Sequence, residues 1–451
     1  MFKRVVLDNF RSFPHLDLDL TETRSRPARY ALVYGENGSG KTNVVRAFRF
    51  LRLSVRTLGP PGPGPMGGLP SSDREYGEMF RRMARMLDSG EPPGFDSPGW
   101  EDVSMLAVSN RSAGSAGAMR TEYVFAPTGK DADYVMEFGE DGRLIRECLD
   151  YHVNGRKARL YEVVSGPEGP EARFHASFFR SAALEADMPE ALRRFWGKHT
   201  VLSIIRAEAR RSNPEYIRSS LCPEATEVLQ FIRGMTVGLR EGGGPGWFDP
   251  AAGTLPASAR NILDAYEDAA TRFFSRINPD IRRVSYDVEQ YGGRIRYEML
   301  FERRVGTEYR LIRACDESFG TRRLLGLLPY LMSLYKGGVV VIDEMDSGIH
   351  DVLMRDLMRE VLGYGRGQLV ATTHNTSLLR DADPKCAYIL RDAEGGREIV
   401  AISSITRTQR NNNNEDRYLN GVFGGVPTIG EVDMGDIVEA FDRIREGGRR
   451  E

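Results

Sequence analysis

Residues 35–42, with the sequence GENGSGKT, constrain the fold more than any other part of this 451-residue chain. They follow an apolar run typical of a β-strand, residues 30–34, and precede a stretch with helical character, residues 43–56. A GxxxxGK[ST] sequence between a strand and a helix is a P-loop, whose glycines let main-chain N–H groups converge on phosphate oxygens at a helix N-terminus. The sequence therefore predicts a nucleotide-binding α/β fold.

Each side chain of this loop has a predicted task. Lys41 is placed to reach the β- and γ-phosphates, and the hydroxyl of Thr42 is placed to bind Mg²⁺. ATP and Mg²⁺ are the predicted cofactors. The predicted ATP-binding residues are Gly35, Glu36, Asn37, Gly38, Ser39, Gly40, Lys41, Thr42 and Asn43.

A second motif, GVVVIDEMD at residues 338–346, is typical of a buried strand that ends in two carboxylates. We predict that Asp343 holds Mg²⁺ and that Glu344 is the general base that polarises the attacking water. The alternative is a core strand that ends in a solvated acidic turn. The P-loop favours the catalytic interpretation.

Two further elements lie in the order expected of an ATP site. The sequence SFGT, residues 318–321, offers a hydroxyl and a flexible backbone just ahead of a helix, 25 residues before Asp343. His374 follows the next apolar strand, where an imidazole could sense the γ-phosphate and act in catalysis. Alone, such a histidine is more often structural, but the order and spacing favour the functional interpretation.

This set of motifs resembles the ABC-type ATPases of the SMC, RecF and OLD group. The resemblance implies an ATP-bridged dimer, in which the signature of one subunit, Ser318, Gly320 and Thr321, completes the ATP site of the other. It also makes Asp346 a D-loop residue. Arg11, in the sequence NFRSF, resembles a nucleotide contact of the group.

More closely, the chain resembles the AAA family ATPases of bacterial abortive infection, of which RloA and the AriA subunit of PARIS systems are relatives. The stretches that carry this resemblance are a β-meander, SFGTRRLL and RYLNGVFGGVP at 417–427. Thr321 occupies the position at which transporter-type signatures have a second glycine. The candidates for a Q-loop glutamine stay open among Gln230, Gln290, Gln368 and Gln409.

The predicted fold class is an α/β P-loop ABC-type ATPase head with an antiparallel β-meander lobe and a helical insertion in place of the long coiled coil of SMC proteins. The predicted division is a split ATPase core at 1–57 and 276–400, a flexible loop plus helix at 58–120, a β-meander lobe at 121–179, a helical insertion at 180–275 and a C-terminal tail and helix at 401–451.

The net charge is close to zero, with 62 Lys+Arg and 64 Asp+Glu, which argues against a protein that binds nucleic acid over its whole surface. Residues 193–218 nevertheless hold seven basic and two acidic side chains, so Arg206, Arg210 and Arg211 are candidate contacts for nucleic acid or a protein partner. The alternative is a solvated helix face whose aromatic side chains pack inward. Scattered cysteines, the lack of an apolar run of about 20 residues and the lack of a signal peptide predict a cytoplasmic protein without membrane contact.

We expect an ATP-hydrolysing subunit that serves as a nucleotide-gated sensor or scaffold in anti-phage defence. OLD proteins carry a TOPRIM nuclease after the ATPase, and about 75 residues after His374 are too few for one. The effector is therefore predicted to be a separate protein, such as a TOPRIM nuclease. The alternative is a RecF-like, ATP-dependent DNA-binding protein of repair, and a metabolic or transport motor is the third candidate.

Overall fold

The computed structural model describes residues 1–23, 25–58, 102–153, 156–211, 219–239, 249–394, 396–406, 413–426, 433–435 and 437–439. Most of the predicted flexible loop plus helix (58–120), part of the predicted helical insertion (180–275) and parts of the C-terminal tail and helix (401–451) lie outside them.

A six-stranded sheet carries the P-loop, in the order β17-β16-β3-β15-β14-β9. Its strands are β3 (Tyr30–Gly35), β9 (Thr236–Gly238), β14 (Val339–Ile342), β15 (Gln368–Thr372), β16 (Ala387–Ala393) and β17 (Gly396–Ala401). All neighbours pair in parallel except β16 and β17. Every residue of β14 and β15 is buried, which explains their continuous apolar sequences.

The second sheet has seven antiparallel strands in the order β2-β1-β4-β5-β6-β7-β8. These are β1 (Phe2–Phe10), β2 (Phe13–Asp19), β4 (Met119–Phe125), β5 (Ala132–Phe138), β6 (Leu144–Val153), β7 (Arg156–Gly166) and β8 (Gly169–Phe174). The predicted β-meander is thus extended by β1 and β2. We had predicted that these two strands, which lie within residues 1–57, belong to the ATPase core. The pairing of Val6 with Glu122 joins residues far apart in sequence, so no local pattern predicts it.

A third sheet has four strands, with β12 paired to the other three. They are β10 (Ala252–Pro256), β11 (Ile281–Tyr291), β12 (Arg294–Val305) and β13 (Glu308–Arg313). The sequences of residues 284–290, 294–303 and 308–314 are typical of strands, and β11, β12 and β13 cover them except for residue 314.

The helices pack on these sheets. They are α1 (Lys41–Ser54), α2 (Val103–Asn110), α3 (Ala182–Phe195), α4 (Val201–Arg211), α5 (Pro223–Gly234), α6 (Arg260–Ile277), α7 (Phe319–Lys336), α8 (Asp351–Tyr364), α9 (Ile402–Ile405) and α10 (Asn414–Leu419). Short 3₁₀ turns lie at Ala257–Ala259, Ala314–Asp316 and Thr376–Arg380.

The segment predicted as a helical insertion, 180–275, is not wholly helical. It also contributes β9 to the parallel sheet and β10 to the four-stranded sheet. The sequence TVG of β9 is too short to show a period of its own, and its strand conformation comes from pairing with β14.

The parallel sheet separates two hydrophobic cores. Val339 and Val341 of β14 point into a core shared with α1 and the seven-stranded sheet. Val340 and Ile342 point into the core under α6, α7 and α8. Because successive side chains of a strand alternate between faces, a sheet covered on both sides buries them all.

A buried carboxyl joins the seven-stranded sheet to α4. Oε1 of Glu147, on β6, accepts hydrogen bonds from the hydroxyls of Tyr134 (2.8 Å) and Tyr161 (2.7 Å). Oε2 accepts from the N–H of Val201, the first residue of α4, at 2.7 Å. Burial raises the pKa of Glu147 to about 7, against these hydrogen bonds, which lower it.

Within the part of the chain that the structure describes, the helices are too short or too polar to cross a bilayer.

Candidate ATP site

The P-loop leaves β3 at Gly35 and enters α1 at Lys41. Gly40 precedes the helix with φ 110°, a left-handed conformation, and a Cβ there would lie 2.7 Å from Oγ of Ser12. Glycine is needed at this position for both reasons. Main-chain N–H groups at the start of a helix, together with the helix dipole, favour an anion, so the N-terminus of α1 suits a phosphate bound in the loop.

Lys41 lies at the centre of the loop. Its side chain is only 7% exposed, and Nζ donates hydrogen bonds to the carbonyl oxygens of Gly35 and Glu36, both at 2.8 Å. Burial lowers its pKa, while Glu344 and Asp343 act in the opposite direction. The structure therefore brings the predicted phosphate-binding lysine, the predicted Mg²⁺ ligand Asp343 and the predicted general base Glu344 into one electrostatic cluster.

Asp343 and Glu344 follow β14 directly, as predicted. Asp343 is 3% exposed, and its Oδ1 accepts a hydrogen bond from the hydroxyl of Thr372 at 2.6 Å. Glu344 has a left-handed backbone, with φ 45°. Nη2 of Arg323, on α7, donates to the carbonyl oxygen of Glu344 at 2.8 Å.

His374 belongs to the same cluster. It is exposed, at the end of the loop after β15, and its main-chain N–H donates to Oδ2 of Asp346 at 3.2 Å. Burial of part of the ring lowers the pKa of His374, and the positive charge of Lys41 lowers it further. The imidazole is therefore neutral at pH 7 and available as a hydrogen-bonding group. Oδ1 of Asp346 is buried without a hydrogen-bond partner among the described residues.

The predicted signature forms the start of α7. Ser318 caps this helix, with Oγ accepting from the N–H of Thr321 at 3.2 Å and lying 2.9 Å from its hydroxyl. A Cβ on Gly320 would lie 2.9 Å from the carbonyl oxygen of Gly348, so glycine allows the signature to approach the turn after the D-loop residue. Phe319 is 59% exposed. The signature thus presents a capped helix N-terminus beside an exposed aromatic ring.

Arg11 lies beside the P-loop helix. Its Nε donates to Oδ1 of Asn110 at 2.7 Å, and the neighbouring Ser12 accepts from the side chain of Asn43 at 2.8 Å. Burial and the nearby charge of Arg46 both lower the pKa of Arg11. Arg11 and Arg46 therefore lie close enough for their positive charges to repel each other.

The described Q-loop candidates lie in different environments. Gln368 is 1% exposed and bonds main-chain groups of Phe2 and Ala28, at 2.6 to 2.8 Å. It ties the parallel sheet to β1. Gln230 and Gln290 are exposed on α5 and β11, and Gln409 lies outside the described residues.

The prediction of a contact surface is wrong for Arg206. This side chain is 7% exposed, and Nη1 lies 3.4 Å from the carbonyl oxygen of Val55. Trp196 is also buried, with Nε1 donating to Oγ of Ser165 at 2.9 Å, so the aromatic ring packs inward. The apolar face of α4 turns Arg206 towards the core, where its guanidinium meets the end of α1. The side chains of Arg210 and Arg211 lie outside the described residues.

A C-terminal segment, residues 413–426, packs against the start of the P-loop. Tyr418 is 6% exposed, its ring centroid lies 5.6 Å from that of Tyr34, and its hydroxyl donates to the carbonyl oxygen of Gly425 at 2.8 Å. A Cβ on Gly425 would lie 3.4 Å from Cα of Gly35. The segment therefore touches the first glycine of the loop.

Sequence reasoning missed three residues of this neighbourhood: Thr372, Arg323 and Tyr418. Each acts on the main chain or side chain of a motif residue from another element. Thr372 lies in the sequence TTHN and Arg323 in the sequence GTRRLL, but a threonine or an arginine at these positions does not by itself indicate a role in the site. Only the folded arrangement identifies them.

Comparisons with known proteins agree with this geometry. Residues 249–380 match the family model described as "AAA domain, putative AbiEii toxin, Type IV TA system". No curated protein matches the sequence.

Similar solved structures include three SMC heads. One is the Smc head bound to the C-winged-helix domain of ScpA, with 14% identity over 88% of this chain and 96% of that chain and a TM-score of 0.40. The SMC head domain from Thermotoga maritima has 17% identity over 89% and 98%, with a TM-score of 0.37. The Smc head with an extended coiled coil, bound to the C-terminal domain of ScpA derived from Pyrococcus furiosus, has 14% identity over 88% and 95%, with a TM-score of 0.40.

The strand order and the placement of the motifs define the fold. A P-loop on β3, two carboxylates after β14 and a histidine after the intervening β15 form one site at the carboxyl ends of a parallel sheet. Residues 249–380 are thus similar to the AbiEii-like AAA domains, within a chain that has the parallel sheet and the motif placement of a P-loop nucleotide-binding head.

Proposed function

We propose that this chain binds and hydrolyses ATP, forms ATP-bridged dimers, and acts as a nucleotide-gated sensor or scaffold in bacterial anti-phage defence. The observation that carries the proposal is the single cluster of Lys41, Asp343, Glu344 and His374 around the P-loop. A P-loop alone binds phosphate, whereas hydrolysis also needs a carboxylate beside the γ-phosphate.

Each residue of the cluster has a distinct task in hydrolysis. The P-loop N–H groups and Lys41 bind the phosphates and stabilise charge on them. Glu344 orients the attacking water and accepts its proton, while the water oxygen bonds to the γ-phosphorus and the bond to the β-phosphate oxygen breaks. The neutral imidazole of His374 donates a hydrogen bond to the γ-phosphate. ADP and phosphate are the products.

The residues present fit Mg²⁺. Thr42 and Asp343 supply a hydroxyl and a carboxylate, the hard oxygen ligands that this ion prefers. In the described ranges there is no group of three or more His, Cys, Asp and Glu side chains that could hold a metal alone. Mg²⁺ commonly completes its shell with substrate phosphates and water, and when bound it neutralises charge on the β- and γ-phosphate oxygens.

The start of α7 supports the proposed dimer. Ser318 and Gly320 lie at an N-terminus whose dipole favours an anion, and the exposed ring of Phe319 adds apolar surface beside it. In the proposed dimer this N-terminus meets the γ-phosphate held by the second subunit.

The proposed role in defence rests on the likeness of residues 249–380 to AbiEii-like domains. We propose that ATP-dependent dimerisation controls a separate effector, such as a TOPRIM nuclease. A toxin or nuclease gene beside this one supports the proposal, whereas a replication or recombination operon supports the RecF-like alternative.

The exposed cations Arg193, Arg194 and Lys198 are the basic side chains that a DNA-binding alternative would use. Such binding weakens steeply with salt, and it should depend on ATP and be lost when all three are changed to alanine.

The variant Glu344→Gln tests the ATPase mechanism. It removes the proton acceptor while keeping size and burial, so we expect hydrolysis to fall by about 100-fold or more. The variant should also retain ATP and elute as a dimer in its presence, measured by size-exclusion chromatography with light scattering. Glu360→Gln, an exposed change on α8, is the matched control and should behave like the wild type. Normal hydrolysis by Glu344→Gln, or failure to retain ATP and dimerise, refutes the mechanism.

A further inference from the structure

Thr372 makes contact with three consecutive residues of the catalytic turn. It is the last residue of β15, is 0% exposed, and lies one position beyond the pairing of Ala371 with Ile342. Its hydroxyl donates to Oδ1 of Asp343 at 2.6 Å and accepts from the N–H of Glu344 at 2.7 Å. Its carbonyl oxygen accepts from the N–H of Met345 at 3.1 Å.

These bonds fix a backbone that would otherwise be unfavourable. Glu344 is a non-glycine residue with φ 45°, in the left-handed region that costs free energy for an L-residue. Its own N–H and that of Met345 are both bonded to Thr372, and its carbonyl oxygen is bonded to Arg323. The peptide groups on both sides of Glu344 are therefore held in place.

The same hydroxyl determines how Asp343 presents its carboxylate. One oxygen, Oδ1, is engaged by Thr372, and the charge-assisted bond selects one orientation of the carboxylate. The second oxygen would then be the one to bind a metal ion or its water. The Thr372 hydroxyl thus acts both as a donor, to Asp343, and as an acceptor, from the N–H of Glu344.

We propose that Thr372 is a positioning residue of the ATPase, which orients the Asp343 carboxylate for Mg²⁺ and holds the left-handed turn that presents Glu344 to the γ-phosphate. This inference rests on the proposed ATPase function. It gives Thr372 a task in the site although, in the proposed mechanism, this residue contacts neither the nucleotide nor the attacking water.

Thr373 is a matched control. It is also buried, at 1% exposed, but its hydroxyl accepts from the N–H of Asn375 at 3.0 Å and its own N–H donates to the carbonyl oxygen of Val33. Thr373→Val therefore has the same chemistry and the same burial as Thr372→Val but leaves the catalytic turn bonded.

The experiment compares the full chain as wild type, Thr372→Val, Thr372→Ser, Thr372→Ala and Thr373→Val. We expect Thr372→Val and Thr372→Ala to lower kcat by about 10- to 100-fold, to leave the KM for ATP within about threefold, and to raise the Mg²⁺ concentration for half-maximal activity several-fold. Thr372→Ser restores the hydroxyl and should stay within about threefold of the wild type. Thr373→Val should do the same.

ATP binding gives a second readout that does not depend on hydrolysis. Calorimetric titration with ATP plus Mg²⁺ and with ATP plus EDTA should show that Thr372→Val loses most of the gain in affinity that Mg²⁺ provides, while affinity in EDTA is unchanged. Thermal melting identifies a variant that is merely unstable, in which case Thr372→Ala and Thr372→Ser decide the question.

Equal defects in Thr372→Val and Thr373→Val, or a Thr372→Ser as impaired as Thr372→Val, overturn the inference. An active wild type with an unimpaired Thr372→Val overturns the inference alone. A wild-type chain that neither binds nor hydrolyses ATP overturns the proposed function and the inference with it.

Discussion

The buried Glu147 should make the stability of the protein depend on pH in the opposite sense to an ordinary ion-paired carboxylate. Its pKa rises from 4.5 to about 7 in the folded chain because it is fully buried. A carboxyl with a raised folded pKa stabilises the fold most below its unfolded pKa, and this contribution is lost as the pH rises towards the folded value. The free energy of unfolding should therefore fall between pH 4.5 and pH 7 on account of this group.

The magnitude follows from the difference between the two pKa values. At about 1.36 kcal/mol per pH unit, a change from 4.5 to about 7 corresponds to about 3 kcal/mol. Glu147→Gln removes the titration and keeps an acceptor for Tyr134 and Tyr161, although its amide nitrogen cannot accept from the N–H of Val201.

Urea unfolding of both proteins at pH 5, 6, 7 and 8 measures the effect. The wild type should lose about 2 to 3 kcal/mol of stability relative to Glu147→Gln between pH 5 and pH 8. Glu162→Gln is the control, because its bonds to Arg146 and Arg159 lower the pKa of Glu162 below 4.5, so the difference between wild type and this variant should stay constant between pH 5 and pH 8. A difference between wild type and Glu147→Gln that stays constant with pH refutes the reasoning.

Two further outcomes are expected. Lys41→Ala should weaken ATP binding by about 100-fold or more by calorimetry, because it removes a charge-assisted contact to the phosphates, whereas the exposed Lys130→Ala should have no effect; equal effects would contradict the assignment of the loop. Gln368→Leu should lower the free energy of unfolding by about 3 to 5 kcal/mol in urea titrations, because three main-chain groups lose a buried partner; a loss under about 1 kcal/mol would show that water replaces the amide.

The residues of the candidate ATP site could largely be picked out from the sequence. The P-loop and the strand that ends in Asp343 and Glu344 are local patterns, in which the chemistry and the secondary structure are encoded by neighbouring residues. The α/β class and the antiparallel β-meander followed from the same kind of signal, and both are present in the structure.

Features that depend on distant pairing could not be predicted. The assignment of β1 to the seven-stranded sheet needs its pairing with β4, and β9 is a strand only because β14 lies beside it. Gln368 and Arg206 show the same limit for side chains. A glutamine among Q-loop candidates proved to be a link between sheets, and an arginine in a basic run proved to be buried, because the periodicity of a helix does not say which face meets the core.

The C-terminal segment has a thermodynamic consequence for the loop that it touches. With Gly425 seated against Gly35 and Tyr418 against Tyr34, any displacement of Gly35 has to move the segment or strain its contacts. Coupling of this kind is reciprocal. A ligand or protein that pulls the segment away from the loop therefore changes the affinity for nucleotide, and nucleotide changes the affinity for that ligand by the same factor. Protease protection at residues 413–426 would then report occupancy of the candidate ATP site.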